Sequence, residues 1–467
     1  MTTLKMDFGL IGLGVMGRNY LYNVAEKGFS VAGFDLNTSA VAALNDQSTF
    51  GEFVWATNEL HAFVAALKQP RKIMLLVPAG DPVDQALTDL LPLLDPGDCI
   101  ADGGNSYFQD TERRAAYLRK ESIHFLGVGI SGGASGARLG PSIMPGGNKQ
   151  AYELFEPIFE ATAAKFDSDS CVTYLGPGAS GNYVKMVHNG IEYSLMELIA
   201  EIYGVLHGIG GHSNSEIGQF FESCNSGRLE SYLVEITAAI CQKKDSFSNR
   251  DLLDVICDTA QQKGTGKWTS QNAMDLGIPI PAIDSAVSQR GISSYKSLRH
   301  ALSARYSKPK SSIGAAEVLN LSEPALFFGY LICFSQGMHL LSEASKTYNY
   351  QLNLSKIAQI WRAGCIIRAS VLDTISNAFL NADETQHLLM DPKLGPAISE
   401  TSEAARSFAI IAIQHGIPTP ALQAALNYFD AFTSARLPTN LIQGQRDFFG
   451  SHTYQRTDRE GTFHTEW

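Results

Sequence analysis

Three glycines in Gly12-Leu-Gly14-Val-Met-Gly17 stand directly after a short apolar run at residues 8–11 and directly before a segment of helical period. That order specifies a strand, a tight turn and a helix start. The first glycine makes the turn, the second leaves the backbone bare for close approach, and the third lets the helix pack on the strand. The free N–H groups and positive dipole end of such a helix start suit a pyrophosphate. A dinucleotide is therefore expected against Gly12, Leu13, Gly14, Val15, Met16 and Gly17.

Further apolar runs at 31–34, 73–77, 100–102, 125–127 and 172–175 alternate with helix-length segments. This βαβ rhythm implies a mostly parallel sheet. After Gly176-Pro-Gly-Ala-Ser-Gly181 the strand signal all but ends and long helical periods take over, so a domain boundary belongs there. The chain has 467 residues, enough for more than one core. The expected fold is an α/β Rossmann-type dinucleotide-binding domain (1–180), a large all-α domain (181–437) and a C-terminal tail (438–467).

In the helical part, Ser215-Glu-Ile-Gly-Gln-Phe-Phe221 recurs as Ser355-Lys-Ile-Ala-Gln-Ile-Trp361, each after a long apolar helix expected near 183–206 and 324–348. An internally duplicated helical unit explains the match; two unrelated amphipathic helices are the alternative. The last thirty residues are aromatic, charged and weakly periodic. They need a surface to lie against, either a neighbouring subunit or their own domain.

A net charge of -11 speaks against nucleic-acid or anionic-membrane surfaces. An anionic substrate would have to be gathered by a local cluster of cations. Seven scattered cysteines without a CxxC pair suit neither zinc nor a disulfide framework, so a reducing, cytoplasmic setting and no metal site are expected. Only seven residues precede the first strand, too few for a signal peptide. The apolar stretch 325–341 carries Ser335 and Gln336 and reads as a buried helix rather than a membrane span.

Asp35 ends the second apolar run, eighteen residues beyond Gly17, where a carboxylate can hydrogen-bond an adenosine ribose. A 2′-phosphate beside it would face like-charge repulsion of about 4 kcal/mol at an effective dielectric near 20. The next residue is Leu36, with no guanidinium to compensate. NAD is thus expected over NADP, with Leu36 and Asn37 beside the ribose. The same Asp35 could instead merely start a turn with Asn37 and Thr38.

Chemistry concentrates in Lys185-Met-Val-His-Asn-Gly-Ile-Glu-Tyr193. At helical period Lys185, His188, Asn189 and Glu192 share an arc of about 100°. A base, two polar anchors and an acid on one face, with Met186, Val187 and Ile191 around them, differ from an ordinary solvated face.

These segments together closely resemble the 6-phosphogluconate dehydrogenase family. The likeness also rests on Asp102-Gly-Gly-Asn-Ser106, Gly129-Ile-Ser-Gly-Gly133, Gly140-Pro-Ser-Ile-Met-Pro-Gly-Gly147, Gln262-Lys-Gly-Thr-Gly-Lys-Trp-Thr269, Trp361-Arg, Gln445-Arg-Asp-Phe-Phe-Gly450 and His452. The resemblance implies a homodimer whose site, between the two domains, is completed by the partner's tail. It implies that Asn105, Ser131, Gly132, Gly133, His188 and Asn189 hold the sugar acid. Tyr193, Lys263, Thr265 and Arg290, with Arg446 and His452 from the other subunit, would grip the phosphate of 6-phosphogluconate. Lys185 would be the general base and Glu192 the general acid, with Asn189 beside them.

Two departures from the family pattern remove positive charge on the cofactor side. Asp35-Leu36-Asn37 replaces the usual Asn-Arg-Thr, and Val77-Pro78-Ala79-Gly80 replaces Val-Lys-Ala-Gly. Both weigh against NADP without touching the reaction. Nothing in the sequence explains Ala134-Ser135, where the family has acidic residues. The competing functional readings are another 3-hydroxy acid dehydrogenase, which has no need of a phosphate grip, and a non-catalytic dinucleotide sensor.

Overall fold

The computed structural model describes residues 5–46, 53–309, 316–380 and 387–467. Seven strands form one sheet: β1 (Phe8–Ile11), β2 (Val31–Phe34), β3 (Val54–Thr57), β4 (Lys72–Leu75), β5 (Cys99–Asp102), β6 (His124–Ser131) and β7 (Ser142–Gly147). Their order is β3-β2-β1-β4-β5-β6-β7, parallel except for the antiparallel pair β6 and β7. Both faces are apolar and covered by helices, as a parallel sheet requires. The chain order reverses on either side of β1, and there the carboxyl ends of the strands open a crevice.

The strand expectations need three corrections. The run 172–175 is not a strand; Val172 makes only an isolated bridge to Ile143. Strands β3 and β7 had not been expected. β7 reads Ser-Ile-Met-Pro-Gly-Gly, with proline and glycine in half its positions. A sheet-edge strand tolerates these because one side of its backbone needs no ladder partner.

The remaining helices pack around one large core. Two long helices, Ser180–Gly208 and Val318–Tyr348, lie against each other; the second begins six residues before the expected start and carries Pro324 inside it. Val318–Tyr348 is long and apolar enough to cross a membrane. Its residues from Ala325 to Phe334 are nonetheless buried against other helices, so it serves as a core helix. The two copies of the repeated motif open the helices Asn214–Asn225 and Leu354–Ile360, and in each the motif's serine is the second helical residue.

The helix Ser180–Gly208 meets the sheet where the strands offer only glycine. A Cβ on Gly181 would lie 2.1 Å from the Gly127 carbonyl oxygen, and one on Gly129 would lie 2.4 Å from Lys185 Cβ. Backbone therefore packs on backbone at Gly181, and the Lys185 side chain lies directly on the strand at Gly129. Glu112 accepts a hydrogen bond from Ala179 N at 2.7 Å, placing a carboxylate at the positive end of the helix.

Gly181→Ala should push the helix off β6 and β7 and lower stability by about 1–3 kcal/mol, the usual range for overpacking. Chemical denaturation measures this, and wild-type stability would show that the contact yields freely.

Candidate active site

The nucleotide end follows from the glycine turn. Gly12 has φ +99, and a Cβ there would lie 2.6 Å from the Leu76 carbonyl oxygen. Gly17 sits so close to Gly12 that a Cβ would meet its carbonyl oxygen at 1.8 Å. A Cβ on Gly14 would meet nothing within 4 Å, so this glycine faces open space as a pyrophosphate site requires. Val15 and Met16 begin the helix Val15–Glu26 behind it.

A cleft of about 450 Å³ runs from Gly12 and Gly14 past Asp35 and Leu36 to Val77 and Pro78. Its outer wall adds Pro82, Gln85, Ala86 and Asp89, none singled out by the sequence. The charged residues lining it are acids. Asp35 Oδ2 accepts from Leu13 N at 2.6 Å and Oδ1 from Asn37 N at 2.8 Å, so its carboxylate joins the glycine turn to the ribose side. The ribose and turn readings of Asp35 are therefore compatible. Asn37 caps the next helix through Ser39 N and Ala40 N, while Leu36 is exposed. Ala79 continues the loop after β4.

Across the crevice, the Ser180–Gly208 helix presents its polar stripe. Lys185 and His188 are buried, Asn189 is nearly so, and Glu192 keeps a fifth of its side chain exposed. His188 Nδ1 lies 3.1 Å from Asn189 Oδ1, 3.5 Å from Lys185 Nζ and 3.8 Å from Glu192 Oε2. Its Nε2 lies 3.2 Å from Ser131 Oγ at the end of β6. Either tautomer satisfies both sides: Nδ1 accepts from Lys185 or donates to Asn189, and the Ser131 hydroxyl turns to match.

Burial sets the protonation of all three groups. Desolvation lowers the Lys185 pKa from the usual lysine range, against the attraction of Glu192. Desolvation raises the Glu192 pKa, against Lys185 and Arg290. His188 is pushed well below its ordinary value, by burial first and by Lys185 second, and stays neutral. The arrangement can thus hold an unprotonated amine and a protonated carboxyl about two turns apart.

Trp361 meets the His188 ring edge-on at 5.6 Å, and Ile366 N donates to Ser131 Oγ at 3.4 Å. Neither contact was foreseen, although Trp361 lies in a quoted motif. Gly132 and Gly133 turn the chain after Ser131 with φ of 116 and 62. Ala134 and Ser135 follow, exposed, in the helix Gly133–Leu139, and nothing in the structure explains their identity. Asn105 stands exposed beyond β5, between Gly104 and the buried Ser106.

One turn further along the long helix, the Arg290 guanidinium stacks on Tyr193 at 3.9 Å and donates to the Gln261 carbonyl at 3.1 Å. It thereby holds the loop carrying Lys263, which is exposed, and leading to Thr265 at the start of the helix Thr265–Leu276. These four residues are brought together; Arg446 and His452 are not. They lie in the tail, on or just after the helix Thr439–Gly450, where Arg446 donates to Gln443 at 3.0 Å and His452 packs on Phe449.

That tail folds about its own buried acid. Asp447 accepts from Thr453 N, His464 Nδ1, Thr465 N and Trp467 Nε1 at 2.9–3.1 Å. Leu441, Ile442, Phe448 and Phe449 on the same segment are exposed.

A glycine-turn parallel sheet facing a buried lysine and a carboxyl whose pKa burial raises defines a two-domain, dinucleotide-dependent dehydrogenase. Comparison with known proteins narrows this. Residues 7–176 match the model of the NAD binding domain of 6-phosphogluconate dehydrogenase, and residues 181–467 match that of its C-terminal domain. The chain belongs to the 6-phosphogluconate dehydrogenase family of decarboxylating oxidoreductases. It is 45% identical over 466 residues to the NADP(+)-dependent, decarboxylating enzyme of Bacillus subtilis (strain 168). It is 46% identical over 467 residues to the decarboxylating enzyme of Lactococcus lactis subsp. lactis (strain IL1403), with 99% of each chain covered in both comparisons. The solved Plasmodium falciparum 6-phosphogluconate dehydrogenase superposes with a TM-score of 0.95 at 42% identity, covering 99% of this chain and 100% of that one.

Desolvation would raise the Asp447 pKa, but the four donors outweigh it and bring it down to about 2. A depressed acid adds stability above its unfolded value near 3.8, and that stability is lost as pH falls through the folded value. The Trp467 indole N–H resonance should therefore persist at pH 5 and vanish between about pH 4 and 2. In Asp447→Ala it should be absent at neutral pH. An unchanged resonance in that variant would contradict the latch.

Proposed function

We propose that the protein oxidatively decarboxylates 6-phosphogluconate to ribulose 5-phosphate and CO₂, with NAD preferred over NADP. The domain before residue 180 holds the cofactor and shares the substrate with the helical domain after it. The single observation that carries the reading is a buried Lys185 facing Glu192 across His188, with the lysine pKa lowered and the acid's raised by the same burial.

A 3-hydroxy acid loses CO₂ readily only once the hydroxyl has become a ketone that can accept the departing electron pair. A dinucleotide held at the glycine turn would supply the acceptor for the C3 hydride. Neutral Lys185 takes the C3 hydroxyl proton as the hydride leaves, then returns it to the ketone oxygen as CO₂ departs, leaving an enediol. Protonated Glu192 gives its proton to C1 while the again-neutral Lys185 accepts the enediol's hydroxyl proton, so that the enediol becomes the ketone. Acid–base groups of this kind each contribute about 10²–10⁴ in rate. His188, Asn189, Ser131, Gly132, Gly133 and Asn105 orient the sugar acid, while Tyr193, Lys263, Thr265 and Arg290 face its phosphate end. Arg446 and His452 complete that grip from the partner of a homodimer. This part of the reading is supported by the apolar residues the tail leaves exposed.

NAD preference rests on the acidic cofactor cleft, in which Asp35 stands where a 2′-phosphate would meet it and no lysine or arginine is among the lining residues. The Bacillus subtilis relative is described as NADP(+)-dependent, and the Plasmodium falciparum enzyme as bound to NADP+, so the cofactor is where this chain is expected to diverge. Support for a cytoplasmic setting comes from its seven free cysteines, six of them buried.

Initial rates with 6-phosphogluconate should be higher with NAD than with NADP at equal concentrations, and Asp35→Asn with Leu36→Arg should reverse the order. A wild type that favours NADP overturns the cofactor reading alone.

Lys185→Met should abolish turnover while still binding cofactor, and Arg446→Ala should be impaired by a raised KM. Co-expression of the two should restore activity. Each mixed dimer then holds one site with both Lys185 and Arg446 intact. Mixed dimers without activity would place the tail's function within its own chain.

A further inference from the structure

Resting on that division of roles, the remaining question is what holds the cofactor loop and the substrate loop at a fixed separation. The loop after β4 ends at Gly80 and the helix Asp81–Leu90; the loop after β5 carries Asn105. The two run side by side at the crevice without a direct link of their own in the sheet ladder. Between them lies one side chain, Arg114, only 1% exposed.

Arg114 sits on the helix Phe108–Lys120, whose buried face is Phe108, Thr111, Arg114 and Leu118. Its guanidinium makes four hydrogen bonds and one ion pair. Nε donates to Asp84 Oδ1 at 2.9 Å; Nη2 donates to Asp84 Oδ2 at 2.9 Å and to the Gly80 carbonyl at 3.0 Å. Nη1 donates to Ser106 Oγ at 3.3 Å and pairs with Asp102 Oδ2 at 3.6 Å. One edge of the guanidinium thus belongs to the cofactor loop and the other to the substrate loop. Asp102 in turn accepts from Ser106 Oγ at 2.6 Å and Gly104 N at 3.0 Å, which shapes the turn that presents Asn105.

The same helix face reaches the catalytic helix. Thr111 Oγ1 donates to Asn182 Oδ1 at 2.9 Å, and Asn182 Nδ2 donates to the Gly104 carbonyl at 3.3 Å, three residues before Lys185. The cofactor loop, the substrate loop and the lysine helix are therefore joined through one strut. A lysine could not replace Arg114, since a single ammonium has three donors at one point and cannot span both loops.

We infer that Arg114 is a positioning residue: its guanidinium sets the distance between the nicotinamide side of the cleft and the Asn105 and Lys185 side, and so the distance over which hydride passes. A misplacement of about 1 Å at a reacting centre costs about a hundredfold in rate. A purely structural arginine would lower thermal stability and leave kinetics unchanged well below the melting temperature.

The test uses the full-length enzyme with 6-phosphogluconate carrying hydrogen or deuterium at C3. Arg114→Lys should lower kcat by about a hundredfold, with KM for cofactor and substrate within about threefold of wild type. The deuterium isotope effect on kcat should rise as hydride transfer becomes limiting. Ser106→Ala removes the Ser106 contacts with Arg114 and Asp102 and leaves the Asp84 pair intact; it should lower kcat by about tenfold with cofactor affinity unchanged. Wild-type kcat and isotope effect in Arg114→Lys, or in Ser106→Ala if the first fails to fold, overturn the inference. A wild type that does not release CO₂ from 6-phosphogluconate overturns the function itself, a result distinct from either variant's.

Discussion

The contact between the first turns of the long helix Ser180–Gly208 and strands β6 and β7 is the constraint on which the site depends. Gly127, Gly129, Gly146 and Gly181 bring the two backbones together closely enough that a single methyl group could not be inserted. Lys185 leaves the helix within this contact, so its stem lies against the strand and the side chain is buried. Burial here follows from backbone geometry rather than from a closing lid. The lowered basicity of Lys185 is therefore a property of the resting fold.

Burying an amine, an imidazole and a carboxyl together is costly unless the set stays close to neutral. The chain meets this by shifting each group toward its uncharged form and by linking the three through His188. Charge accumulates instead just beyond Glu192, where Arg290 stacks on Tyr193 near the loop bearing Lys263. The helix is thus divided along its length into a neutral section suited to proton exchange and a cationic section suited to a dianion. The tail applies similar logic outside the core. Folding around Asp447 before it meets another surface reduces the ordering cost of docking and leaves Phe448 and Phe449 free to be covered.

Much of this was legible in the residues, for identifiable reasons. The glycine turn and the Lys185 stripe are local patterns with fixed periods and appear in the structure at their expected places, as do five of the six runs of the parallel rhythm. Strand β7 was not legible because its Pro145, Gly146 and Gly147 suppress every strand signal, their value lying in the approach of Gly181, which is remote in sequence. The strut at Arg114 escaped notice because Arg113 and Arg114 look alike in a helix full of charge. The distinguishing sign was available, since Arg114 falls with Thr111 and Leu118 at the spacing of a buried face. Pairing with Asp84 and Ser106 depends on loop positions that no local pattern encodes. Nor does local sequence say where Arg446 lies relative to Lys185, as the two are joined only through tertiary and subunit geometry.

Asp35 has a second consequence, for how cofactor choice can change over evolution. Its carboxylate receives the Leu13 amide as well as the Asn37 amide, so the group proposed to disfavour an extra phosphate also pins the glycine turn to the second strand. Removing the charge alone would admit the phosphate while loosening the loop that must cradle the pyrophosphate. An asparagine keeps one acceptor oxygen where the carboxylate had two. Selectivity and loop order are thus coupled through a single side chain, and lineages moving between the two dinucleotides would have to cross an intermediate that binds both poorly.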